Sequence, residues 1–319
     1  MNLQPPYRIG VIGLGVMGER LLTAMLNHPH YQVAAVCDAS AERAHQVSNN
    51  SGGVPWYTDH RQLLAKEQLD LVYLAVPPKF HHSIALDVLA CGKHLLCEKP
   101  LANSLEEAEE MVRAAKQAGV IHAMNFPLFY RPVFAEMKER LAGIGSIRRI
   151  DIVTHFHQWP RPWQQTAWLS GREQGGFVRE VMPHFIHFTL ALFGRLHNVE
   201  AKLEYPEDPT LCETGITATM QLADGTTVTV NGLSQIAKQE HLSYTVYGTE
   251  GTLSVVNWSK LSAGGFGEPL TEIPLEETDR LAGLLDNLAA ALAGQESRLV
   301  SFDTGYEVQQ VLEALLNSK

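Results

Sequence analysis

At 319 residues the chain exceeds the size at which a single hydrophobic core stops growing, so two domains are expected. Hydrophobic residues at 45% and charged residues at 19% fit an ordinary globular protein, and no apolar run approaches the roughly 20 residues that span a bilayer, which excludes a membrane-spanning chain. A formal net charge of -10, with Lys and Arg scattered along the chain, repels a phosphate backbone and argues against nucleic acid as a partner.

The opening MNLQPPYRIGVIG carries no basic leader and no small-residue cleavage site, so export is not expected. Apolar runs at Arg8 to Ile12, Val33 to Cys37, Leu71 to Val76, His94 to Cys97 and Ile121 to Asn125 read as buried parallel strands. Between them, Gly18 to Asn27, Ala41 to Asn49, His82 to Ala90 and Ser104 to Ala118 carry apolar residues at helical spacing, with Ser104 and Glu107 forming a capping-box pattern. This alternation predicts an α/β Rossmann domain, a doubly wound parallel sheet, over residues 1–123. The four cysteines, Cys37, Cys91, Cys97 and Cys212, form no CxxC pair, so reduced thiols in the cytoplasm are expected.

Beyond about residue 123 the pattern changes. A helix at Pro132 to Leu141 precedes a strand at Ser146 to Phe156 and an irregular Trp- and Pro-rich stretch. Strands then dominate, at Val199 to Tyr205, Gly215 to Leu222, Thr226 to Leu233, Leu242 to Tyr247 and Thr252 to Val256, with Ala223-Asp224-Gly225 marking a hairpin. Alternation of Thr217, Thr219 and Gln221 with Ile216, Ala218, Met220 and Leu222 leaves one sheet face apolar and the other polar. Helices at Arg280 to Ala293 and Tyr306 to Leu316 close the chain. Residues 124–319 are therefore expected to form an α+β domain with an open, mostly antiparallel sheet that binds substrate and supports oligomerisation.

Gly13-Leu14-Gly15-Val16-Met17-Gly18 follows the first strand and opens the first helix, the context of a dinucleotide fingerprint. Gly13 permits the tight turn, Gly15 lets backbone approach a pyrophosphate, and Gly18 lets helix and strand pack closely. The helix N-terminus offers N–H groups to phosphate, and Asp38 ends the second strand where an acid accepts hydrogen bonds from the adenosine ribose. A carboxylate there repels a 2'-phosphate, so NAD is favoured, with NADP the alternative through Ser40 and Arg43.

Val76-Pro77-Pro78-Lys79-Phe80-His81 and Ala90-Cys91-Gly92-Lys93-His94-Leu95-Leu96-Cys97-Glu98-Lys99-Pro100-Leu101 resemble the glucose-fructose oxidoreductase, inositol dehydrogenase and rhizopine-catabolism (Gfo/Idh/MocA) family. Tyr130-Arg131-Pro132, a Gly175-Gly176 turn before a His-bearing helix, and Tyr247-Gly248-Thr249-Glu250-Gly251 extend the resemblance over nearly the whole chain. It implies coenzyme contacts from Pro77, His81, Glu98 and Lys99, and a catalytic set of Lys99, Glu180 and His184. The chemistry suits those types: His serves as base near neutrality, and Lys stabilises alkoxide character on the same oxygen. Glu180 and His184, four apart on a helix, share a face. Relatives have Asp at position 180, Gly at 182 and Asp at 187, where this chain has Glu180, Met182 and His187.

The function implied is hydride transfer between a nicotinamide coenzyme and a hydroxyl or keto carbon of a sugar, cyclitol, sugar acid or related small polyol. Redox-assisted glycoside cleavage or epimerisation with tightly held NAD is an alternative, as is a catalytically silent dinucleotide-binding sensor. Glu180, His184 and His187 share a helical face, and His155 and His157 a strand face, but hydride transfer to nicotinamide requires no metal and none is expected. The segment His155 to Gly171 brings Trp159, Arg161, Trp163 and Trp168 either to the substrate or to each other as a structural loop. The resemblance also implies a homodimer or homotetramer formed through the exposed sheet face.

Overall fold

The computed structural model describes residues 6–164, 166–276, 279 and 281–318. The chain divides into two compact units, one of residues 1–125 with 281–306 and one of residues 126–280 with 307–319.

In the first unit β1 (Tyr7–Ile12), α1 (Val16–Leu26), β2 (Tyr31–Cys37), α2 (Ala41–Asn50), β3 (Trp56–Tyr57), α3 (His60–Lys66), β4 (Leu71–Leu74), α4 (His81–Ala90), β5 (His94–Cys97), α5 (Leu105–Ala118) and β6 (His122–Met124) alternate along the chain. All six strands run parallel in the order β3-β2-β1-β4-β5-β6, the doubly wound arrangement whose strand order reverses beside β1. Both sheet faces are covered, which is why β4 is apolar throughout and wholly buried. Ser104 caps α5 by accepting from the Glu107 N–H, and Gly119 ends that helix in the left-handed region. The fingerprint, Asp38, the segment after β4 and Glu98-Lys99 all follow strand C-termini, so they share the ligand-binding edge.

The second unit contains α6 (Pro132–Arg140), β7 (Ile147–His155), α7 (Phe177–Phe193), β8 (Leu196–Glu204), β9 (Gly215–Leu222), β10 (Thr227–Leu233), β11 (His241–Gly248), β12 (Gly251–Val256), β13 (Lys260–Gly265) and β14 (Thr271–Ile273). Its eight-stranded sheet has the order β14-β13-β12-β11-β7-β10-β9-β8, antiparallel except for the β7–β10 pair. The alternation in β9 is realised: Ile216, Ala218, Met220 and Leu222 are buried while Thr217, Thr219 and Gln221 are exposed. On the buried face lies α7, whose Phe185 and Phe188 rings meet Tyr244 of β11 and whose Thr189 hydroxyl lies 3.1 Å from the Tyr244 hydroxyl.

Residues 281–306 depart from the sequence-based boundary, which assigns them to the second domain. They return to the first unit as α8 (Ala282–Leu292) and the start of α9 (Phe302–Asn317). Tyr31 donates its hydroxyl to the Leu285 carbonyl at 2.6 Å, and the Met124 N–H donates to the Val300 carbonyl at 2.8 Å. The expected helix start at Arg280 lies outside the described residues.

Candidate active site

The fingerprint loop has the shape that a pyrophosphate requires. Gly13 has φ +92, and a Cβ there would stand 2.5 Å from the Ala75 backbone; a Cβ on Gly18 would run into the Gly13 carbonyl oxygen. Packing thus forces both glycines. Gly15 is different: its Cβ would meet nothing, so the loop opens onto free space above the uncapped start of α1. Val16 is exposed and Met17 half-exposed at this mouth, whereas the Leu14 side chain is in the core. Leu14 therefore serves the loop through its backbone. Its N–H donates to Asp38 Oδ2 at 2.9 Å and its carbonyl accepts from Arg43 Nε at 2.8 Å.

Asp38 accepts from the Ser40 N–H through its other oxygen, also at 2.9 Å. Each carboxylate oxygen keeps a lone pair, so the half-buried acid can brace the loop and still accept from ribose hydroxyls. Ser40 and Arg43 are engaged internally. The Ser40 hydroxyl caps α2 at the Arg43 N–H, and the Arg43 guanidinium pairs with Glu19 at 2.8 Å.

Along the same edge, His81 is fully buried, with Nδ1 2.9 Å from the Pro100 carbonyl and Nε2 2.8 Å from the Val76 carbonyl. Burial lowers its pKa, against the pull of these carbonyls. The ring ties the segment after β4 to the segment after β5. Pro77 is half-exposed at the start of a single 3-10 turn. Glu98 is buried and accepts from the Tyr73 hydroxyl at 2.6 Å and from Asn125 Nδ2 at 2.5 Å. Burial, then the Glu98 charge, pushes the Tyr73 phenol far up, so it remains a donor. Asn125 Oδ1, at the end of β6, is buried with no hydrogen-bond partner, a polar atom that fits a bound group better than a bare interior. Lys99 follows Glu98 directly, with 9% of its surface exposed.

In the second unit the predicted residues lie on α7. Gly176, with φ +96, precedes the helix, and a Cβ there would strike the Glu213 carboxylate. That carboxylate substitutes for a cap side chain by accepting from the Val178 N–H at 2.7 Å. Burial raises its pKa to about 7, opposed by the Val178 hydrogen bond and by Arg179 and Arg172. Every residue from Phe177 to Thr189 is buried except Glu180 and His184. The helix therefore opens at the two predicted positions. His184 stands edge-on to Phe126 at 5.9 Å and to Trp258 at 5.4 Å.

Met182 and His187, the departures from the family pattern, lie on the buried side. His187 stacks on Phe126 at 4.5 Å and 13°, and burial lowers its pKa to about 4. It is a neutral core residue that shares Phe126 as a ring neighbour with His184. His155 Nδ1 lies 3.0 Å from Lys238 Nζ, and among the described residues no group of three or more His, Cys, Asp or Glu is placed to hold a metal.

Within the Trp-rich stretch the structural role holds for two residues. Trp159 is buried and donates Nε1–H to the Leu169 carbonyl at 3.1 Å. The Arg161 guanidinium lies over Phe156, Trp159 and Trp163, with Nε donating to Glu240 at 3.0 Å, so its charge is paired within the protein. Trp163 is 52% exposed.

Comparison with known families then decides the lineage. Residues 7–126 match the NAD-binding Rossmann fold of an oxidoreductase family and residues 138–319 match its C-terminal alpha/beta domain. The chain belongs to the Gfo/Idh/MocA family. Among its relatives is the scyllo-inositol 2-dehydrogenase (NADP(+)) of Bacillus subtilis strain 168, 34% identical over 61% of this chain and 60% of that protein. The 1,5-anhydro-D-fructose reductase of Ensifer adhaerens is 30% identical over 56% and 54%, so these alignments span under two thirds of the relatives' length. Two solved Gfo/Idh/MocA-like structures share the fold over nearly the full chain. A levoglucosan dehydrogenase in complex with NADH and L-sorbose superposes with a TM-score of 0.85, 21% identity and 99% and 97% coverage. A 3-ketoreductase from Actinomadura kijaniata in complex with NADP and TDP-benzene gives 0.86, 21%, and 97% of both chains.

Four residues beside the predicted positions escape a sequence reading: Arg43 as a brace and Asn125 in the first unit, Glu213 and Trp258 in the second. The first three are ordinary polar residues whose partners are distant in sequence. Trp258 carries a faint signal, since Asn257-Trp258 lies between two runs of strand type.

Proposed function

We propose that this chain transfers hydride between NAD(P) and the hydroxyl or keto carbon of a small sugar, cyclitol or related polyol, with Lys99, Glu180 and His184 as its reacting set. The observation that carries the reading is the exposure pattern of α7 from Phe177 to Thr189, buried except at two positions one turn apart that are an acid and an imidazole.

When bound, the coenzyme supplies a two-electron acceptor for the hydride. His184 takes the proton of the reacting hydroxyl, a task suited to imidazole near neutrality. Lys99 donates a hydrogen bond to that oxygen as it gains alkoxide character. Glu180, one turn before His184, accepts from a neighbouring substrate hydroxyl. Gly15 would admit the pyrophosphate in a loop that Gly13 and Gly18 keep tight, Val16 and Met17 would border it, and Asp38 would receive the adenosine ribose. Pro77 would border the coenzyme, while His81 and Glu98 hold the loops that carry Pro77 and Lys99. Asp38 makes NAD the preferred form. The NADP named for the Bacillus relative marks the alternative.

The buried free thiols of Cys37, Cys97 and Cys212 support a cytoplasmic setting. Among the described residues no helix is long and apolar enough to cross a membrane. We propose self-association as a dimer or tetramer through the exposed face of the eight-stranded sheet, which sedimentation tests. A panel of sugars, sugar acids and cyclitols assayed for NAD and NADP reduction tests the activity. Stoichiometric NADH or NADPH release with at least one such compound is expected. Turnover of glycosides with no net coenzyme reduction would move the chain to redox-assisted cleavage.

A further inference from the structure

Trp258 sits in the turn between β12 and β13 with φ +74, directly after Asn257 at φ +46. Asn tolerates the left-handed region, because its short amide bonds locally; a bulky indole does not. Here the surroundings hold the turn firmly. The Asn257 N–H and side-chain oxygen both engage Leu242, at 2.9 and 3.1 Å, and the Trp258 carbonyl accepts from Arg131 Nη1 at 3.0 Å. A strained residue fixed by several independent bonds points to use of its side chain.

The side chain ends a stack of three rings. Tyr244 is fully buried, Phe185 lies parallel to it at 6.1 Å and 11°, and Trp258 lies parallel to Phe185 at 5.1 Å and 9°. Trp258 is half-exposed, and one face of its indole is covered by Phe185. His184, the proposed base, is edge-on to the same indole at 5.4 Å. A partly exposed apolar ring, backed by two further rings, thus adjoins the proposed base.

We propose that Trp258 is a specificity-determining stacking platform that receives the C–H face of a cyclic substrate, a pyranose or cyclitol ring, and holds it for His184. The inference rests on the hydride-transfer reading and names the shape of its substrate. Axial and equatorial C–H groups on one ring face form an apolar patch that matches an indole, whereas an open-chain polyol presents no such patch.

Trp258→Gly tests this, because glycine adopts φ +74 without strain, so relief of the turn opposes the loss of the stack and the fold should persist. Binding of scyllo-inositol and of open-chain sorbitol to the NAD-saturated protein is measured by calorimetry, beside KM and kcat for substrates found in the panel. The wild type should bind the cyclic probe more tightly. Trp258→Gly should weaken ring binding and raise KM by about tenfold or more while kcat stays within about threefold, and sorbitol binding should hardly change. Trp258→Phe, which keeps a ring on Phe185, should fall between, and it serves alone if the glycine variant does not fold. Unchanged ring binding in these variants overturns the platform and leaves hydride transfer standing. A wild type that neither binds nor oxidises any member of the panel overturns the functional reading, and the platform with it.

Discussion

Lys99 and His184 are proposed to act on one oxygen from opposite sides of the charge balance, one as donor and the other as base, and their replacement should show it. Each of Lys99→Ala and His184→Ala is expected to lower turnover by a factor of about 100 or more, the scale of a lost acid-base or oxyanion-stabilising group. Coenzyme affinity, measured by titration, should survive in both, since the proposed coenzyme contacts centre on the fingerprint and Asp38. The double variant should lose much less than the product of the single losses, because neither group is useful without the other. Near-normal turnover in one single variant removes that residue from the mechanism. Asp38 carries a second expectation. A 2'-phosphate about 4 Å from its carboxylate meets a repulsion of about 1 to 4 kcal/mol, depending on local screening, and Arg43 offers little relief while Glu19 holds its guanidinium. NAD should therefore bind at least about tenfold more tightly than NADP, and Asp38→Ser should narrow the gap. Equal or reversed affinities in the wild type would show that Arg43 leaves Glu19 to clasp the phosphate.

Helix α7 concentrates two buried ionisable groups whose effects on stability run in opposite directions with pH. The pKa of Glu213 is raised from 4.5 to about 7, so its favourable share is complete below about 4.5 and is lost as pH rises through about 7. The pKa of His187 is lowered from 6.5 to about 4, so its share is present above about 6.5 and is lost as pH falls through about 4. Each is worth roughly 3 kcal/mol over its window, and between about 4.5 and 6.5 the two slopes nearly cancel. His187→Leu should therefore gain on the wild type as pH falls below 6.5, whereas Glu213→Gln, which still accepts from the Val178 N–H, should gain as pH rises toward 7. Denaturant unfolding across that range reads both differences, and pH-independent offsets would reject the assignments. The sequence makes the helix face legible, because Glu180 and His184 stand four apart, but not the cap, since Glu213 is 35 residues beyond Val178. The same limit applies to strands. β1, β5 and β9 show in their apolar runs or alternation, whereas two-residue β3, three-residue β14 and Gly-ending β13 owe their form to the neighbours they pair with. Helix α3, seven residues long with a single buried side chain, has too little apolar face to announce itself.

At the scale of the whole molecule, the change from strand-helix alternation to strand-rich sequence marks the end of the first unit's continuous stretch near residue 125, but it hides the return of residues 281–306. Amphipathic helices look alike wherever they dock, so nothing local in α8 says which core receives it. The contacts do. Leu284, Leu285 and Leu288 are buried, His28 pairs with Asp286 at 3.0 Å, and the Phe302 N–H donates to His122 Nδ1 at 3.1 Å beside a ring contact of 4.9 Å. Phe302 itself is fully buried. A fragment of residues 1–125 would expose these partners together with the Tyr31 hydroxyl and the Met124 N–H, both of which lose their acceptors. Fully burying each large apolar side chain contributes about 1.5–3 kcal/mol, so losing four of them removes as much as a small domain's whole net stability. The fragment 1–125 alone is therefore expected to show no cooperative thermal transition and no measurable NAD binding. The same fragment joined by a flexible linker to residues 281–306 should regain both, because the contacts that it lacks are all supplied by that segment. A cooperative melt with undiminished NAD affinity in the shorter fragment would show that the returning segment decorates the Rossmann unit rather than completing it.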